Sequence, residues 1–206
     1  MGKITIAEES LSTPSAGFGR AGFDGSNKQW LQRLSTGLFA GDMFTDRVTQ
    51  IASHSADTYY QGIQLPQFGL QAGMNLEWIF TATKGAAGTA TPIYQLRIGP
   101  NQTVADTSRL SITGPAQTAA ADTAYIRCLY TVRVAGAACV IRGLVYLQHN
   151  LAATGFANTP AGFSLVGGTS AAFDASAVQG QYVGLSVNPG ASGAWVVEQV
   201  SVRVRF

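Results

Sequence analysis

The sequence predicts an all-β protein, a jelly-roll-like antiparallel β-sandwich preceded by a short N-terminal β-hairpin arm. Three observations lead to this prediction. Apolar and polar residues alternate with a period of two through many segments, as in strands that place one face on a core. Clusters of Gly, Ala, Thr and Pro interrupt the chain before an apolar stripe at helical spacing can persist. An Asp-Gly pair near the N-terminus lies between two apolar-containing runs, which is typical of a hairpin turn.

The predicted strands lie between residue 41 and the C-terminus. About eight to ten strands in roughly 165 residues match the size of a jelly roll, so we expect residues 41–206 to form the sandwich. The alternation places Val134 and Val196 on the core face and Arg97 on the opposite face. The clearest strand candidates are 74–82, 92–99, 124–134 and 196–206, and the further candidates are 48–52, 59–65, 110–113, 139–147, 163–166 and 182–187.

The first forty residues predict a separate element. Two apolar-containing runs, 17–23 and 28–34, flank the Asp-Gly pair and predict a hairpin. A lone hairpin is only marginally stable in water, so its apolar side chains need a surface to pack on. We interpret residues 1–40 as an attachment arm, with docking on its own sandwich as the alternative. The proposed contact residues are Phe18, Arg20, Phe23, Trp30 and Leu34.

The composition is low in charge. The chain has 206 residues, of which 12% are charged, and a formal net charge of +2. Typical soluble domains are about 25% charged, so we expect other subunits to cover much of the surface. The many aromatic and β-branched residues exclude a disordered chain. The small net charge argues against a nucleic-acid binder, which would show a dense basic patch.

No segment predicts membrane insertion or secretion. The most apolar stretch, residues 139–147, is short and contains Arg142, whereas a spanning helix needs about 20 apolar residues. The apolar stretch at the N-terminus ends too soon for a signal peptide, and Ile6 stands where a myristoylation signal has Ser or Thr. We therefore expect a protein that is made and folded in a cytoplasm.

Motifs for cofactors and metals are weak. Residues 17–22 match G-x-G-x-x-G but lack the flanking strand and helix that bind a dinucleotide. We interpret His54 as a loop residue and His149 as a residue at the sheet rim. Cys128 and Cys139 show no metal-ligand spacing and are interpreted as two free buried thiols, with a disulfide between them as the alternative. We predict no cofactor and no metal.

Two glutamates are the strongest candidates for catalysis. Glu77 and Glu198 each lie in a strand-like run, and Glu198 falls on the apolar face of its run. Glycoside hydrolysis needs two carboxyl groups about 5–9 Å apart. We favour structural ion pairs with an arginine such as Arg97 or Arg127, or contacts between subunits, because a buried carboxylate needs a partner. The sequence therefore predicts a protein that is not an enzyme.

Arginines and loop aromatics suggest surfaces for binding. The arginines on outward strand faces favour blocked sheet edges or contacts with acids on neighbouring subunits, and binding of anionic lipopolysaccharide is the alternative. Trp195 and Tyr182 lie near predicted loop tips, where they could stack on sugar rings, although aromatic residues also commonly begin strands. The outward arginines are Arg127, Arg133, Arg142, Arg203 and Arg205.

The sequence resembles a group of tailed-bacteriophage virion proteins from about residue 14 to the C-terminus. The shared segments are strand and loop sequences and include no catalytic motif. They are AGFGR at 16–20, STG at 35–37, FTATKGAAGTATP at 80–92, YQLRIG at 94–99, LSITGPAQTAAADT at 110–123, HNLAATGFAN at 149–158 and GLSVNPGAS at 184–192.

The resemblance implies a jelly-roll-like domain in a head fibre, a capsid decoration or a tail appendage, in a virion assembled in the cytoplasm of the host bacterium. It also implies a homotrimer whose N-terminal part attaches to capsid, portal or tail proteins. The leading hypothesis is therefore a non-enzymatic structural component. A receptor-binding module that recognises a host surface glycan is the alternative, followed by a glycan hydrolase using Glu77 and Glu198.

Overall fold

The computed structural model describes residues 20–24, 29–33, 39–40, 42–66, 68–151, 153–159, 162–191 and 194–205. These residues form strands, turns and two short 3-10 helices, Gly136–Ala138 and Ala175–Val178, so the all-β prediction is confirmed. The described strands are β1 (Arg20–Asp24), β2 (Gln29–Arg33), β3 (Phe39–Ala40), β4 (Asp42–Arg47), β5 (Ile51–His54), β6 (Thr58–Gln64), β7 (Asn75–Lys84), β8 (Ile93–Gly99), β9 (Thr107–Thr113), β10 (Asp122–Val134), β11 (Val140–His149), β12 (Phe163–Thr169), β13 (Tyr182–Asn188) and β14 (Trp195–Arg205).

The strands β1, β2 and β3 form a small antiparallel sheet of their own. Phe23 lies opposite Trp30 and Asp24 opposite Gln29, so β1 and β2 are the two arms of the predicted hairpin. Gly22, the last glycine of the G-x-G-x-x-G match, lies within β1. Since β1 pairs with another strand and leads into no helix, this segment lacks the context of a dinucleotide site.

Two antiparallel sheets form the sandwich. The larger sheet has the order β12-β11-β10-β7-β14-β4, and β5 also pairs with β14. The smaller sheet has the order β6-β13-β8-β9. Side chains from the inner faces of both sheets form one core, and the predicted sandwich is confirmed.

The connectivity is that of a jelly roll. Its strands pair as nested hairpins: β8 with β9, β7 with β10, β6 with β13, and β4 and β5 with β14. Successive pairs alternate between the smaller and the larger sheet, which is how a long folded hairpin winds into two sheets of four strands. The β11–β12 hairpin is inserted between β10 and β13 and widens the larger sheet.

The core follows the predicted alternation. In β7 the side chains of Leu76, Trp78 and Phe80 are buried, and in β8 those of Tyr94 and Leu96 are buried. Burial of each such side chain contributes about 1.5–3 kcal/mol relative to exposure. One position of β10 departs from the prediction.

Val134, at the end of β10, is exposed instead of buried. The pairing of β10 with β11 shifts register between Val132 and Val134, so the period of two ends at Val132.

A β-bulge in β14 also changes the predicted face assignment. The pairing with β7 shifts register between Val197 and Val200, and an extra residue in one strand reverses the alternation beyond it. Val197 is therefore buried, whereas Val196 is only half-buried and Glu198 is exposed. The prediction that Val196 and Glu198 face the core is wrong for this reason.

The first strands of the sandwich differ from the prediction. The predicted strand at 48–52 overlaps only β5, and β4 was not predicted. Val48, between the two strands, is 82% exposed. β4 has the sequence DMFTDR, whose charges fit an outermost strand but hide the alternation. His54 ends β5 and is not a loop residue.

Candidate functional site

The outer face of the larger sheet carries a group of large apolar side chains on β10, β11 and β12. The burial pattern of each strand places these residues opposite the core-facing ones. Each strand contributes two of them. The group, which we call the apolar patch, consists of Tyr125, Leu129, Leu144, Tyr146, Phe163 and Leu165.

Strand register makes the apolar patch contiguous. Leu129 lies opposite Leu144, and Tyr146 lies opposite Leu165 on the next strand. The rings of Tyr146 and Phe163 are in contact, with centroids 4.8 Å apart. Side chains paired in this way on one face of a sheet touch each other.

The apolar patch is open to solvent. Leu165 is 55% exposed, Phe163 38% and Leu144 36%. Burial of apolar surface yields about 25 cal/mol per Å², so covering this face would be favourable. Contiguous exposed apolar surface on a folded protein marks a contact with another molecule more often than a site of catalysis.

The predicted outward positions of the arginines are confirmed, and Arg127 and Arg142 lie on strands of the apolar patch. Arg127, Arg142 and Arg203 are exposed on the same face of the larger sheet. Arg142 donates a hydrogen bond from Nη1 to Thr169 Oγ1 at 3.0 Å. Arginine and aromatic residues together are enriched at protein–protein interfaces. Arg133 and Arg205 are exposed on the adjoining strand ends.

Glu77 forms the structural ion pair that we favoured. Its carboxylate accepts a short hydrogen bond from Nε of Arg127. Glu77 is buried on the outer face, directly opposite Arg203 in the register of β7 and β14. A buried carboxylate paired with Arg127 in this way has a structural role.

Glu198 lies far from Glu77. It is exposed at the β14 bulge and accepts a hydrogen bond from Gln50 Nε2 at 2.8 Å, so it forms no predicted pair with Arg97 or Arg127. Glu77 is opposite Arg203, five positions along β14 from Glu198, which corresponds to roughly 16 Å at about 3.3 Å per residue. A glycosidase pair needs about 5–9.5 Å. The two glutamates therefore do not form such a pair.

The outer face of the smaller sheet has no comparable apolar surface, because Tyr59 covers it. Its ring lies against Gly62 and Gly184, where a Cβ atom would overlap the Tyr59 hydroxyl group. Burial and the charge of Asp106 raise the pKa of Tyr59. The absence of side chains at the two glycines thus leaves the space in which the Tyr59 ring packs.

Arg97 also lies on the outer face of the smaller sheet, next to the region that Tyr59 covers. It points away from the core, as predicted, but it is buried in a polar network instead of exposed. Its guanidinium group donates to Asp57 Oδ2 at 2.6 Å, to Ser186 Oγ at 2.7 Å and to the carbonyl of Asp106 at 2.7 Å. Gln95 Oε1 also accepts a bond from it at 3.2 Å. Alternation alone could not reveal this network, since its members come from four separate segments.

Trp195 is not available to a sugar. The indole is fully buried, packs on Phe156 with centroids 4.9 Å apart, and donates from Nε1 to Gln117 Oε1 at 2.9 Å. Gln117 in turn donates to the carbonyls of Ala90 and Pro189. Trp195 begins β14 and Tyr182 begins β13, as the alternative interpretation of these aromatic residues had it. The loops close over Trp195, so it cannot stack on a sugar, whereas Tyr182 is half-buried.

Buried ionisable residues form hydrogen bonds that hold the loops at the end of the sandwich where Trp195 lies. Lys84 Nζ donates to the carbonyls of Thr118 and Ala120 at 2.7 and 2.8 Å, and burial lowers the pKa of Lys84. His149 Nδ1 lies 2.7 Å from Asp122 Oδ2, and both side chains are fully buried. His149 ends β11, which is the predicted position at the sheet rim, but its side chain is buried because the loop after β11 folds over it.

Both cysteines are free thiols, as favoured from the sequence. Cys128 lies in the core within β10, and Cys139 lies beside β11 in an isolated bridge with Phe173. Burial raises the pKa of both thiols, with Arg109 opposing the shift at Cys139. Buried protonated thiols of this kind behave as small apolar side chains.

The predicted contact residues of the arm remain predictions. Phe18 and Leu34 lie outside the described residues. Arg20 and Phe23 lie in β1 and Trp30 in β2, for which the structure describes the backbone and its pairing.

Searches for related proteins and known kinds of site add no assignment. No protein-family model matches the sequence, and no curated protein matches it. In the described ranges, no group of three or more His, Cys, Asp or Glu side chains is placed to hold a metal ion. No helix among the described residues is long and apolar enough to cross a membrane. The resemblance to phage virion proteins stays a prediction.

The sequence did not identify the apolar patch, although it carried a signal. Residues 143–147 read Gly-Leu-Val-Tyr-Leu, a run that is apolar on both faces of a strand. Such runs are typical of strands covered on both sides. In the part of the chain that the structure describes, only the core-facing side of β11 is covered.

Proposed function

We propose that the protein is a non-enzymatic structural component of a tailed-phage virion: a head fibre, a decoration or a tail appendage. The observation that carries the proposal is the apolar patch, exposed on one face of a sandwich whose other face is closed. Neighbouring subunits would cover the patch, in the trimer that the resemblance implies. This cover would also account for the low fraction of charged residues.

The jelly-roll topology supports a building block, since viral capsid domains use it, as do lectins and cupins. Fold analogy alone does not select among these roles. The selection rests on the surface: the large exposed side chains are apolar and are bordered by arginines, as in a protein interface. Glu77 is engaged by Arg127, and Glu198 lies too far away to act with it.

Incorporation into particles tests the proposal. Phage particles are produced with tagged wild-type, Leu144→Lys or Thr113→Lys subunits, purified, and assayed for the tag. Both residues are exposed, but Leu144 lies in the apolar patch and Thr113 lies on β9 of the smaller sheet. We expect the wild type and Thr113→Lys to enter particles and Leu144→Lys to be depleted at least tenfold. Absence of the wild-type protein from particles would contradict the proposal.

The arm is tested by substitution in the full chain. Trp30→Ser should reduce incorporation without changing the thermal unfolding of the sandwich, because we assign Trp30 to attachment. Equal incorporation of Trp30→Ser and wild type would remove the arm residues from the proposal and leave the apolar patch as its basis.

A further inference from the structure

The strand β12 has an open edge. Its backbone pairs with β11 on one side, and no described strand pairs with it on the other. One side chain reaches it, since Thr159 Oγ1 donates to the carbonyl of Phe163 at 2.8 Å. The free amide and carbonyl groups of such an edge are a template for another strand.

Two other outermost strands of the sandwich, β4 and β6, are protected. β4 carries Asp46 and Arg47, charges that discourage pairing. At β6, Arg47 Nη1 donates to the carbonyl of Tyr60 at 3.0 Å, and Trp78 Nε1 donates to the carbonyl of Gln61 at 2.8 Å. β12 has the sequence FSLVGGT, with no charge and no proline. Its edge therefore lacks the usual protection.

The side chains of β12 are complementary to those of an antiparallel copy. On the outward face the strand is bulky at its start, with Phe163 and Leu165, and small at its end, with Gly167 and Thr169. An antiparallel pair centred on Val166 puts Leu165 against Gly167 of the second copy and Phe163 against its Thr169. Each large side chain of one copy then lies opposite a smaller residue of the other copy.

The small residue at 167 is fixed by the fold itself. A Cβ atom at Gly167 would lie 2.8 Å from Leu144 Cδ2 and 2.9 Å from the carbonyl oxygen of Gly143. A side chain is therefore excluded there, and the strand stays narrow opposite Leu165 of a second copy, where the Leu144 side chain over Gly167 provides the apolar contact.

We propose that two copies of the chain pair through β12 in antiparallel register about a twofold axis. The larger sheets of the two copies become one continuous sheet, and their apolar patches become neighbours on its outer face. Such a contact is isologous, each copy offering the same residues. It differs from the threefold contact of a trimer and does not depend on a virion role.

Two variants separate edge pairing from packing on the apolar patch. Leu144→Lys changes the patch one strand away from the edge. Thr169→Lys changes the edge outside the patch, opposite Phe163 of the second copy and beside Arg142, which gains a like charge. The masses of Leu144→Lys and of the double variant Leu144→Lys/Thr169→Lys are measured by light scattering, with thermal unfolding as the check of folding.

We expect Leu144→Lys to be a dimer and the double variant to have half that mass. A monomeric Leu144→Lys would overturn edge pairing and leave patch-mediated assembly standing. A double variant with the mass of a dimer would place the contact elsewhere and would also overturn the proposal.

Amide hydrogen exchange of the wild-type chain tests the same contact without substitution. The amides of 163–169 that point away from β11 should be protected at high protein concentration and should exchange faster on dilution, whereas those that pair with β11 stay protected at both. Protection of the amides that point away from β11 in a monomer would mean that another segment of the same chain covers the edge, which contradicts pairing between copies.

Discussion

The outer faces of the two sheets differ in how they are covered. On the smaller sheet, Tyr59 lies on two glycines, and Arg97 ties Asp57 and Ser186 into a buried polar network. On the larger sheet, Leu144 and its neighbours in the apolar patch remain open to solvent. Among the described residues, side chains of the chain itself thus cover the smaller sheet and leave the apolar patch of the larger sheet exposed. The difference indicates that the larger sheet is the one adapted to a partner.

This comparison predicts two kinds of variant. We call the outer face of the smaller sheet, with Tyr59 and Arg97, the closed face. Substitutions in the closed face should lower the free energy of unfolding, because they break contacts within the chain. Substitutions in the apolar patch should leave it nearly unchanged and alter assembly instead.

Arg97→Met should have the largest effect on stability. It removes the charged partner of the Asp57 carboxylate, which keeps a hydrogen bond from Gln95 Nε2 at 3.1 Å, and it removes the donor to Ser186 Oγ. Removal of one partner of a buried pair costs about 3–5 kcal/mol. Urea unfolding measures the loss. Arg142→Met is the control on the larger sheet. Arg142 is exposed and donates to Thr169 Oγ1, so we expect a loss of at most about 1 kcal/mol. Equal losses would remove the distinction between the faces.

Gly184→Ala should come next. Its methyl group would overlap the Tyr59 side chain, and overpacking of this kind costs about 1–3 kcal/mol. Gly168→Ala on β12 is the control, because a Cβ there meets its neighbours at 3.4 Å, an ordinary contact. In a Tyr59→Ala background the cost of Gly184→Ala should shrink. If Gly184→Ala destabilises the Tyr59→Ala background as much as the wild type, the glycine is not required for packing of the Tyr59 ring.

High pH should destabilise the protein in a way that depends partly on the closed face. Burial raises the pKa of Tyr59, Tyr60 and Cys128 above their values of 10.0 and 9.0 in the unfolded chain. The unfolded state loses these protons first, so stability is complete below about pH 9 and falls as pH rises. Each group contributes about 1.4 kcal/mol per pH unit while it titrates.

Tyr59→Phe isolates the contribution of the closed face to this pH dependence. We expect the free energy of unfolding to fall less steeply above pH 10 in this variant than in the wild type. The free energy of unfolding is measured by urea unfolding at pH 9 and at pH 11. An equal decrease between these pH values in the variant and the wild type would show that the fold does not protect the Tyr59 hydroxyl group from ionisation.

The sequence predicted the sandwich well because its strands follow a simple period. Leu76, Trp78 and Phe80 alternate with polar residues, and this pattern needs no knowledge of distant segments. The β14 bulge does not follow this alternation. Its extra residue places Val197 in the core where Val196 was predicted, and the bulge depends on pairing with β7, which the local sequence does not show. Strand β4 was missed because its charges hide the alternation.

The two outer faces were harder to predict. Alternation assigned Arg97 to an outward position correctly but could not show that Asp57 and Ser186 meet it there. Glu77 was correctly expected to pair with an arginine such as Arg127, because a carboxylate in an apolar run needs a partner. The apolar patch depends on the register of β10, β11 and β12, which only the fold brings together.

The most direct test of the central claim compares Leu144→Lys with Thr113→Lys in stability and in assembly. Both variants should unfold within about 0.5 kcal/mol of the wild type, since both side chains are exposed. Only Leu144→Lys should be depleted from purified phage particles. Normal incorporation of Leu144→Lys, or equal depletion of both variants, would contradict the claim that the larger sheet is covered by a neighbour.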